Sequence, residues 1–205
     1  MVSTQDKVES KAGSPPVSLS EATQKAWTDA EFMALPDDGN RYEVVNGELV
    51  VMGTAGARHG YYVALMSFFL TAYAREQKAG IVFDSDTSFK MKSGNRRSPD
   101  CSFFSKERIK SIGGIPTGYI EGSPDLAVEI LSPGNTVEEI HGKIVEYFEN
   151  GSRLVWIIHP DEQYVLVYHQ PQPDQFKRPG DLLDGGDVIP GFTLDLADFF
   201  PEPEI

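Results

Sequence analysis

The spacing of apolar and polar residues predicts that the folded region begins with a short helix and a β-hairpin. Thr28 and Glu31 have the three-residue spacing of a capping box, and Leu35-Pro36 would end the helix. Over residues 41–52, two short apolar strands flank Asn46-Gly47, a dipeptide suited to the positive φ angles of a type I′ turn. We therefore predict a helix followed by a hairpin.

Later segments alternate between helical and strand patterns. Apolar residues recur every three or four positions over 59–78, which ends before Gly80, and a second helix is predicted over 137–150. Strands are predicted over 81–92, 99–105, 126–131, 154–158 and 164–169. The first two strands are expected to form a hairpin through a turn at 93–97. Loops are predicted over 111–124 and after residue 169, the latter with a short acidic C-terminal segment.

These elements indicate an α/β fold in which a mixed sheet is flanked by helices. The chain has 205 residues, of which 40% are hydrophobic and 11% aromatic, values typical of one globular domain. Residues 1–25 are polar and show no apolar period, so we expect a disordered tail there. A single domain is predicted over 26–200, followed by a C-terminal end at 201–205.

The cysteine content and the hydropathy exclude several classes of protein. The single cysteine, Cys101, excludes an intramolecular disulfide and a cysteine-built zinc site. The sequence has no apolar run of about 18 residues and no apolar segment behind its N-terminal lysines, so neither a membrane span nor a secretory signal is expected. We predict a cytoplasmic protein.

Charge is distributed unevenly along the chain. The net charge is −13, which disfavours nucleic acid as a partner, and seven acidic residues without a basic one lie between 181 and 205. Between 90 and 110, however, seven basic residues oppose two acidic ones. This basic stretch, with Arg96 and Arg97 at its centre, is interpreted either as a nucleic-acid contact or as a solvated face of two strands.

Glu129 is the most informative single position. It is the one charged residue in the strand pattern 126–131, which is otherwise apolar on both faces. Burying an unpaired carboxylate costs on the order of several kcal/mol, because the charge loses its hydration. Glu129 therefore requires a cation, a metal or a proton. The simpler alternative is a structural salt bridge at a strand end.

Two further residues are candidates for a site that includes Glu129. Asp100 follows Pro99 at the start of a predicted strand, and two carboxylates at the ends of neighbouring strands suit Mg²⁺. Lys143 lies in the following helix, on the side that also carries Glu139 and Tyr147, although an ordinary surface Glu139–Lys143 pair would explain that spacing as well. The four histidines lie far apart, and no GxSxG, GxGxxG or Walker motif is present, which disfavours zinc hydrolases, serine hydrolases and nucleotide kinases.

In this order and spacing, Pro99-Asp100, Glu129-Ile130-Leu131 and Lys143 resemble the PD-(D/E)XK nuclease pattern. That pattern has lysine where this chain has Leu131, so the resemblance implies that Lys143 is a migrated replacement. Five segments over about residues 27 to 195 resemble the Uma-type family of restriction-endonuclease-like proteins. They are Phe32 to Leu49 with Leu35-Pro36-Asp37-Asp38-Gly39, then His59-Gly60, then Ser98-Pro99-Asp100, then Val128 to Pro133, and then Lys143 to Pro160. One departure is His159-Pro160, where the family usually has Asp-Pro.

The resemblance implies a fold and a site. The fold is a restriction-endonuclease-like core with a central mixed sheet, to which the first helix and hairpin are appended. Asp100 and Glu129, with the Ile130 carbonyl, would hold one Mg²⁺ or Mn²⁺, and Lys143 would orient the attacking water or stabilise the phosphorane. His59 is expected either to contact substrate or to have a structural role at a helix start.

A further carboxylate near the site could come from either of two positions in the first hairpin. Glu43 or Glu48 could add a carboxylate beside Asp100, Glu129 and Lys143. They lie on opposite sides of the hairpin turn, and the sequence does not choose between them.

The leading hypothesis is a metal-dependent endonuclease that hydrolyses DNA, with duplex DNA as partner and a homodimer by analogy with symmetric cleavage. The alternative is a catalytically inactive nuclease fold used for binding or assembly, which predicts that Lys143 points to solvent. A metal-free carboxylate-pair hydrolase acting on sugars has weaker support, because no aromatic-lined cleft is evident in the sequence.

Overall fold

The computed structural model describes residues 26–53 and 56–201. The predicted tail at 1–25 and the last four residues lie outside the described part. Five helices are present in that part: α1 (Asp29–Met33), α2 (Ala57–Glu76), α3 (Lys106–Ser111), α4 (Val137–Glu149) and α5 (Leu196–Phe199). The strands are β1 (Arg41–Val45), β2 (Glu48–Met52), β3 (Gly80–Asp84), β4 (Phe89–Lys90), β5 (Arg96–Arg97), β6 (Cys101–Ser105), β7 (Ile120–Glu121), β8 (Leu126–Ile130), β9 (Leu154–His159), β10 (Tyr164–Tyr168), β11 (Gln175–Lys177), β12 (Leu182–Asp184) and β13 (Thr193–Asp195).

The strands form two main sheets and a small hairpin. The six-stranded sheet has the order β11-β10-β9-β8-β6-β3, and within it only β8 and β9 run parallel. The five-stranded sheet has the order β2-β1-β5-β4-β7, with a parallel β4–β7 pair. The strands β12 and β13 pair with each other. The mixed α/β architecture expected from the sequence is therefore confirmed.

The two faces of the six-stranded sheet are covered by different helices. Because side chains alternate along a strand, each strand supplies both faces. Met66 and Leu70 of α2 pack in one core cluster with Val128 and Trp156. Ile144 and Tyr147 of α4 belong to the other cluster, with Ala127, Val155 and Ile157.

The first helix and the first hairpin form as their local chemistry predicts. The Thr28 hydroxyl accepts a hydrogen bond from the Glu31 amide, and the Glu31 carboxylate accepts one from the Thr28 amide, which completes the capping box. Asn46 and Gly47 take φ angles of 52° and 80° between β1 and β2. Positive φ at both turn positions is what a type I′ hairpin requires.

The strand predicted over 81–92 is wrong as a single element. The chain turns after Asp84, whose carboxylate accepts hydrogen bonds from the Asp86 amide and the Thr87 hydroxyl. As a result β3 pairs with β6 in the six-stranded sheet, whereas β4 pairs with β5 in the other sheet. The predicted antiparallel partnership of 81–92 with 99–105 therefore holds only for β3.

The loops predicted over 111–124 and after residue 169 also contain regular structure. Within the first lies β7, and the second contains β11, β12, β13 and α5. Leu183, Leu194 and Phe199 are buried in the α2-side cluster, while acidic residues between them face outward. The acidic composition of this segment hid a short alternating pattern. In the described residues, no helix combines the length and the apolar character needed to cross a membrane.

Candidate active site

Strand register brings Asp100 and Glu129 together. The antiparallel pair β6–β8 places Cys101 opposite Val128, so the preceding residue, Asp100, lies opposite Glu129. Residues directly opposite in such a pair project from the same face of the sheet. Asp100 Oδ2 also accepts a hydrogen bond of 2.8 Å from the backbone amide of Ile130, which fixes the carboxylate against the end of β8.

The buried carboxylate of Glu129 is held by two side chains of α4. Lys143 Nζ lies 3.1 Å from Glu129 Oε2, and the Tyr147 hydroxyl donates to Oε1. Lys143 and Tyr147 are four residues apart, which places them on one face of the helix. Lys143 is 3% exposed, so its ammonium is directed into the protein toward the carboxylates.

A third carboxylate comes from the five-stranded sheet. Glu43 Oε1 lies 3.8 Å from Lys143 Nζ and accepts a hydrogen bond from the Ser98 amide, while Glu43 Oε2 pairs with Arg97 at 3.1 Å. Glu48, across the hairpin turn, is exposed. Of the two residues that the sequence left open, Glu43 is therefore the one beside the site. Its signal was a carboxylate next to Val44 and Val45 in a predicted strand, a weaker form of the pattern at Glu129.

The buried charges shift one another's protonation. Burial raises the pKa of Glu129 to about 7, and the neighbouring charge of Asp100 acts in the same direction, against the opposing effect of Lys143. Burial alone would lower the pKa of the Lys143 ammonium, but the charges of Glu129 and Glu43 raise it above its ordinary value. Lys143 is consequently a permanent cation at neutral pH.

His59 connects Asp100 with an open cleft. Its Nε2 lies 3.1 Å from Asp100 Oδ2, and this hydrogen bond raises the pKa of the imidazole. His59 stands in the first turn of α2 and lines a cleft of about 430 Å³ together with Arg41, Ser67 and Ser85. The imidazole thus lies between the carboxylate and this cleft.

The predicted substrate contacts Arg96 and Arg97 need correction, because both guanidinium groups are enclosed. The guanidinium of Arg96 is buried between the rings of Phe32 and Tyr119, 4.7 and 4.4 Å from their centroids, and it pairs with Asp29. Arg97 is buried between two carboxylates, with its Nε 2.6 Å from Glu146 Oε2. Both guanidinium groups are thus engaged by partners within the protein.

Other members of the basic stretch are also engaged within the protein. Lys90 pairs with Asp29 at 3.0 Å, and Arg108 pairs with Asp125 and covers the ring of Phe104. Of the seven basic residues at 90–110, four therefore pair with carboxylates of the protein itself. Lys92, Lys106 and Lys110 are exposed, so part of this stretch is solvated, as one of the two interpretations expects.

The donor set suits a hard divalent cation. Within the described ranges, no group of three or more His, Cys, Asp or Glu side chains is arranged to hold a metal. Two carboxylates are sufficient for Mg²⁺, which retains several waters. The buried network has more acidic than permanently basic members, namely Glu43, Asp100, Glu129 and Glu146 against Arg97 and Lys143. A cation between Asp100 and Glu129 would offset this surplus of negative charge. It would also lower the pKa of Glu129, which burial raises.

Comparison with solved structures shows the fold. The crystal structure of a "putative nuclease belonging to DUF820 from Anabaena variabilis ATCC 29413" is similar, with a TM-score of 0.72 and 24% sequence identity. The similarity covers 85% of this chain and 97% of the other.

Comparison with curated proteins gives no match. A match to a family is nevertheless clear. The model of the Uma2 family, described as "Putative restriction endonuclease", matches residues 29–197, and this chain belongs to that family.

Proposed function

We propose that this protein is a metal-dependent endonuclease that hydrolyses DNA phosphodiester bonds at Asp100, Glu129 and Lys143. The observation that carries the proposal is the convergence of the three side chains: the β6–β8 register sets the two carboxylates opposite each other, and Lys143 reaches Glu129 at 3.1 Å. The family description and the similar nuclease structure support the same class of reaction.

Asp100 and Glu129, with the Ile130 carbonyl, are the residues that would hold Mg²⁺ or Mn²⁺. When bound, such an ion lowers the pKa of a coordinated water and neutralises charge on the phosphate under attack. The backbone amide of Ile130 and the imidazole of His59 orient the Asp100 carboxylate, and Tyr147 orients that of Glu129.

Lys143 acts as a fixed positive charge and hydrogen-bond donor. Because the surrounding carboxylates raise its pKa, it keeps its proton at neutral pH and does not serve as a general base. Its role is to orient the attacking water or to stabilise negative charge on the phosphate in the transition state. His59, at the edge of the cleft, is the candidate contact with substrate.

The position of Lys143 favours an active enzyme over an inactive nuclease fold. The inactive-fold hypothesis predicts that Lys143 points to solvent, whereas Lys143 is buried against Glu129. The burial of Lys143 against Glu129 thus supports the enzymatic proposal. Duplex DNA as substrate, a homodimer, a single domain over 26–200 and a cytoplasmic location remain predictions.

Cleavage of supercoiled plasmid with Mg²⁺ or Mn²⁺ tests this function. We expect metal-dependent nicking that falls about a hundredfold or more in Asp100→Asn, Glu129→Gln and Lys143→Met, since each removes charge from the reacting centre. Glu48→Gln, which changes an exposed carboxylate on the same hairpin, is the matched control and should retain activity. Nicking that persists in all three site variants, or no nicking by the wild type with either metal, would contradict the proposal.

A further inference from the structure

Three aromatic rings form a continuous strip on the outer strands of the six-stranded sheet. His159 at the end of β9 lies 4.9 Å from Tyr164 at the start of β10, and Tyr164 lies 5.1 Å from Phe176 on β11, measured between ring centroids. Both pairs are inclined by 32°. The guanidinium of Arg178 lies 4.8 Å from the centroid of Phe176. We call His159, Tyr164 and Phe176 the aromatic strip.

Strand register places the aromatic strip on the same face as Glu129. Glu129 is opposite Ile157, Ile157 is opposite Leu166, and Leu166 is opposite Phe176, so one row crosses four strands from the site to the strip. Three strand spacings of about 4.8 Å make this row about 14 Å long. The straight-line separation of Glu129 and Phe176 is therefore comparable to the length of about four stacked nucleotides, at about 3.4 Å each.

The route from the site to the strip follows the ends of the strands. Helix α4 covers the middle of the row, where Ile157 is buried against Ile144. His159 and Tyr164 face each other one step nearer the strand ends, and both are partly exposed. Leu131, which follows the site strand β8, is bonded through its amide to the Ile158 carbonyl beside His159. The strip therefore begins next to the end of β8.

The rings are accessible and held in place. Phe176 is 49% exposed although it lies in a regular strand, and His159 Nδ1 accepts a hydrogen bond from the Glu162 amide. Of the neighbouring carboxylates, Asp161 pairs with Arg58 and Asp174 lies 2.7 Å from His169 Nδ1, whereas Glu162 is exposed. Arg178 is exposed and adds positive charge at the far end. A row of rings that reaches the surface and ends at an arginine suits a nucleotide strand, because the rings can stack on bases and the arginine can pair with phosphate.

We propose that the aromatic strip stacks the unpaired bases of a nucleic-acid substrate whose backbone enters the Asp100–Glu129 site. The inference rests on the proposed nuclease function and specifies its substrate class, a strand with an unpaired segment beside the point of cleavage. Stacking on aromatic side chains is tolerant of sequence because every base has a π-face. The strip would thus supply affinity without recognising particular bases. This matters because several residues of the basic stretch at 90–110 already pair with carboxylates of the protein.

Fluorescence anisotropy with a short dye-labelled oligothymidylate, in the absence of divalent metal, tests the strip. Phe176→Leu and Tyr164→Leu keep an apolar side chain but remove the π-face, and each should weaken binding about fivefold or more. Phe176→Trp should retain binding, and stacking should quench its fluorescence. Phe68→Leu is the matched control, because Phe68 is 64% exposed on α2, away from the strip. Its affinity should equal that of the wild type.

The outcomes separate this inference from the nuclease proposal. Unchanged affinity in Phe176→Leu, or no binding of the oligonucleotide by the wild type, would overturn the strip even if the protein cleaves plasmid. A loss of affinity in both leucine variants, repeated in an Asp100→Asn background that cannot cleave, would support the strip even if no cleavage is found. A change in oligomeric state by light scattering, without a change in affinity, would assign the strip to protein association and overturn the inference.

Discussion

The two faces of the six-stranded sheet come from the same strands but bury different chemistry. On the α2 face, Met66, Leu70 and Trp156 pack into an apolar cluster. On the α4 face, Glu129 is buried beside Lys143 and joined through it to Glu43. Hydrophobic burial stabilises a fold directly, whereas buried ion pairs often contribute little net stability because of their desolvation. This difference fits the proposal that the α2 face maintains the fold, whereas the charges of the α4 face serve the proposed reaction.

Removing the central cation should have the largest effect. Lys143→Met leaves Glu129 and Glu43 buried without their shared partner, and loss of one member of a buried pair costs about 3–5 kcal/mol. We expect that decrease in the free energy of unfolding by urea titration at about pH 8, with partial recovery in the double variant Lys143→Met/Glu129→Gln. A decrease below about 1 kcal/mol, as for a surface pair, would show that the charges are solvated.

Truncation of the apolar face should be comparable in size but different in character. Leu70→Ala removes a fully buried side chain from the α2 cluster and should cost about 2–4 kcal/mol through lost transfer energy and a cavity. Since no charge is involved, urea titrations at about pH 5 and about pH 8 should give the same loss. Metal binding at the α4 face should be unchanged, and a weakened affinity would mean that the two faces are coupled.

The stability of the α4 face should depend on pH. Burial raises the pKa of Glu129 from 4.5 to about 7, so its contribution is fully present below about 4.5 and is lost as the pH rises to about 7. Relative to Glu129→Gln, the wild type should lose roughly 1–3 kcal/mol across that window, because one pKa unit corresponds to about 1.4 kcal/mol. Urea titrations in the presence of a chelator measure the difference. Parallel curves for the two proteins would contradict the expected shift.

The smallest effect distinguishes the two glutamates of the hairpin. Glu43→Gln removes one carboxylate from Lys143 and from Arg97 and should cost about 1–2 kcal/mol. Glu48→Gln changes an exposed residue and should stay within about 0.5 kcal/mol. Thermal unfolding of both variants provides the comparison, and equal losses would place Glu43 outside the network.

The sequence was most informative where local chemistry decides structure. The capping box at Thr28 and the Asn46-Gly47 turn depend on a few neighbouring residues, and both form as expected. It was least informative where distant pairing decides. Residues 81–92 divide between two sheets, and β12 and β13 pair in a segment that was predicted as loop, with Leu183 and Leu194 buried in the core. Short strands of this kind have little periodicity of their own.

For the site, the individual residues were accessible from sequence but their partners were not. Glu129 stood out as a carboxylate in an apolar strand, and Lys143 was expected in the following helix. Arg96 and Arg97 were misjudged because sequence charge does not reveal that Phe32, Tyr119 and two carboxylates enclose them. The proximity of Glu43 depends on how the two sheets pack, which no local pattern encodes.

Calorimetry of Mn²⁺ binding tests most directly whether the surplus of acidic groups on the α4 face forms a cation site. We expect the wild type to bind one Mn²⁺ per chain, and Asp100→Asn and Glu129→Gln each to weaken binding about tenfold or more, since each removes a ligand oxygen. Glu48→Gln should bind as the wild type does. No binding by the wild type, or equal affinity in all four proteins, would rule out a cation site here and leave Glu129 as the partner of a structural lysine.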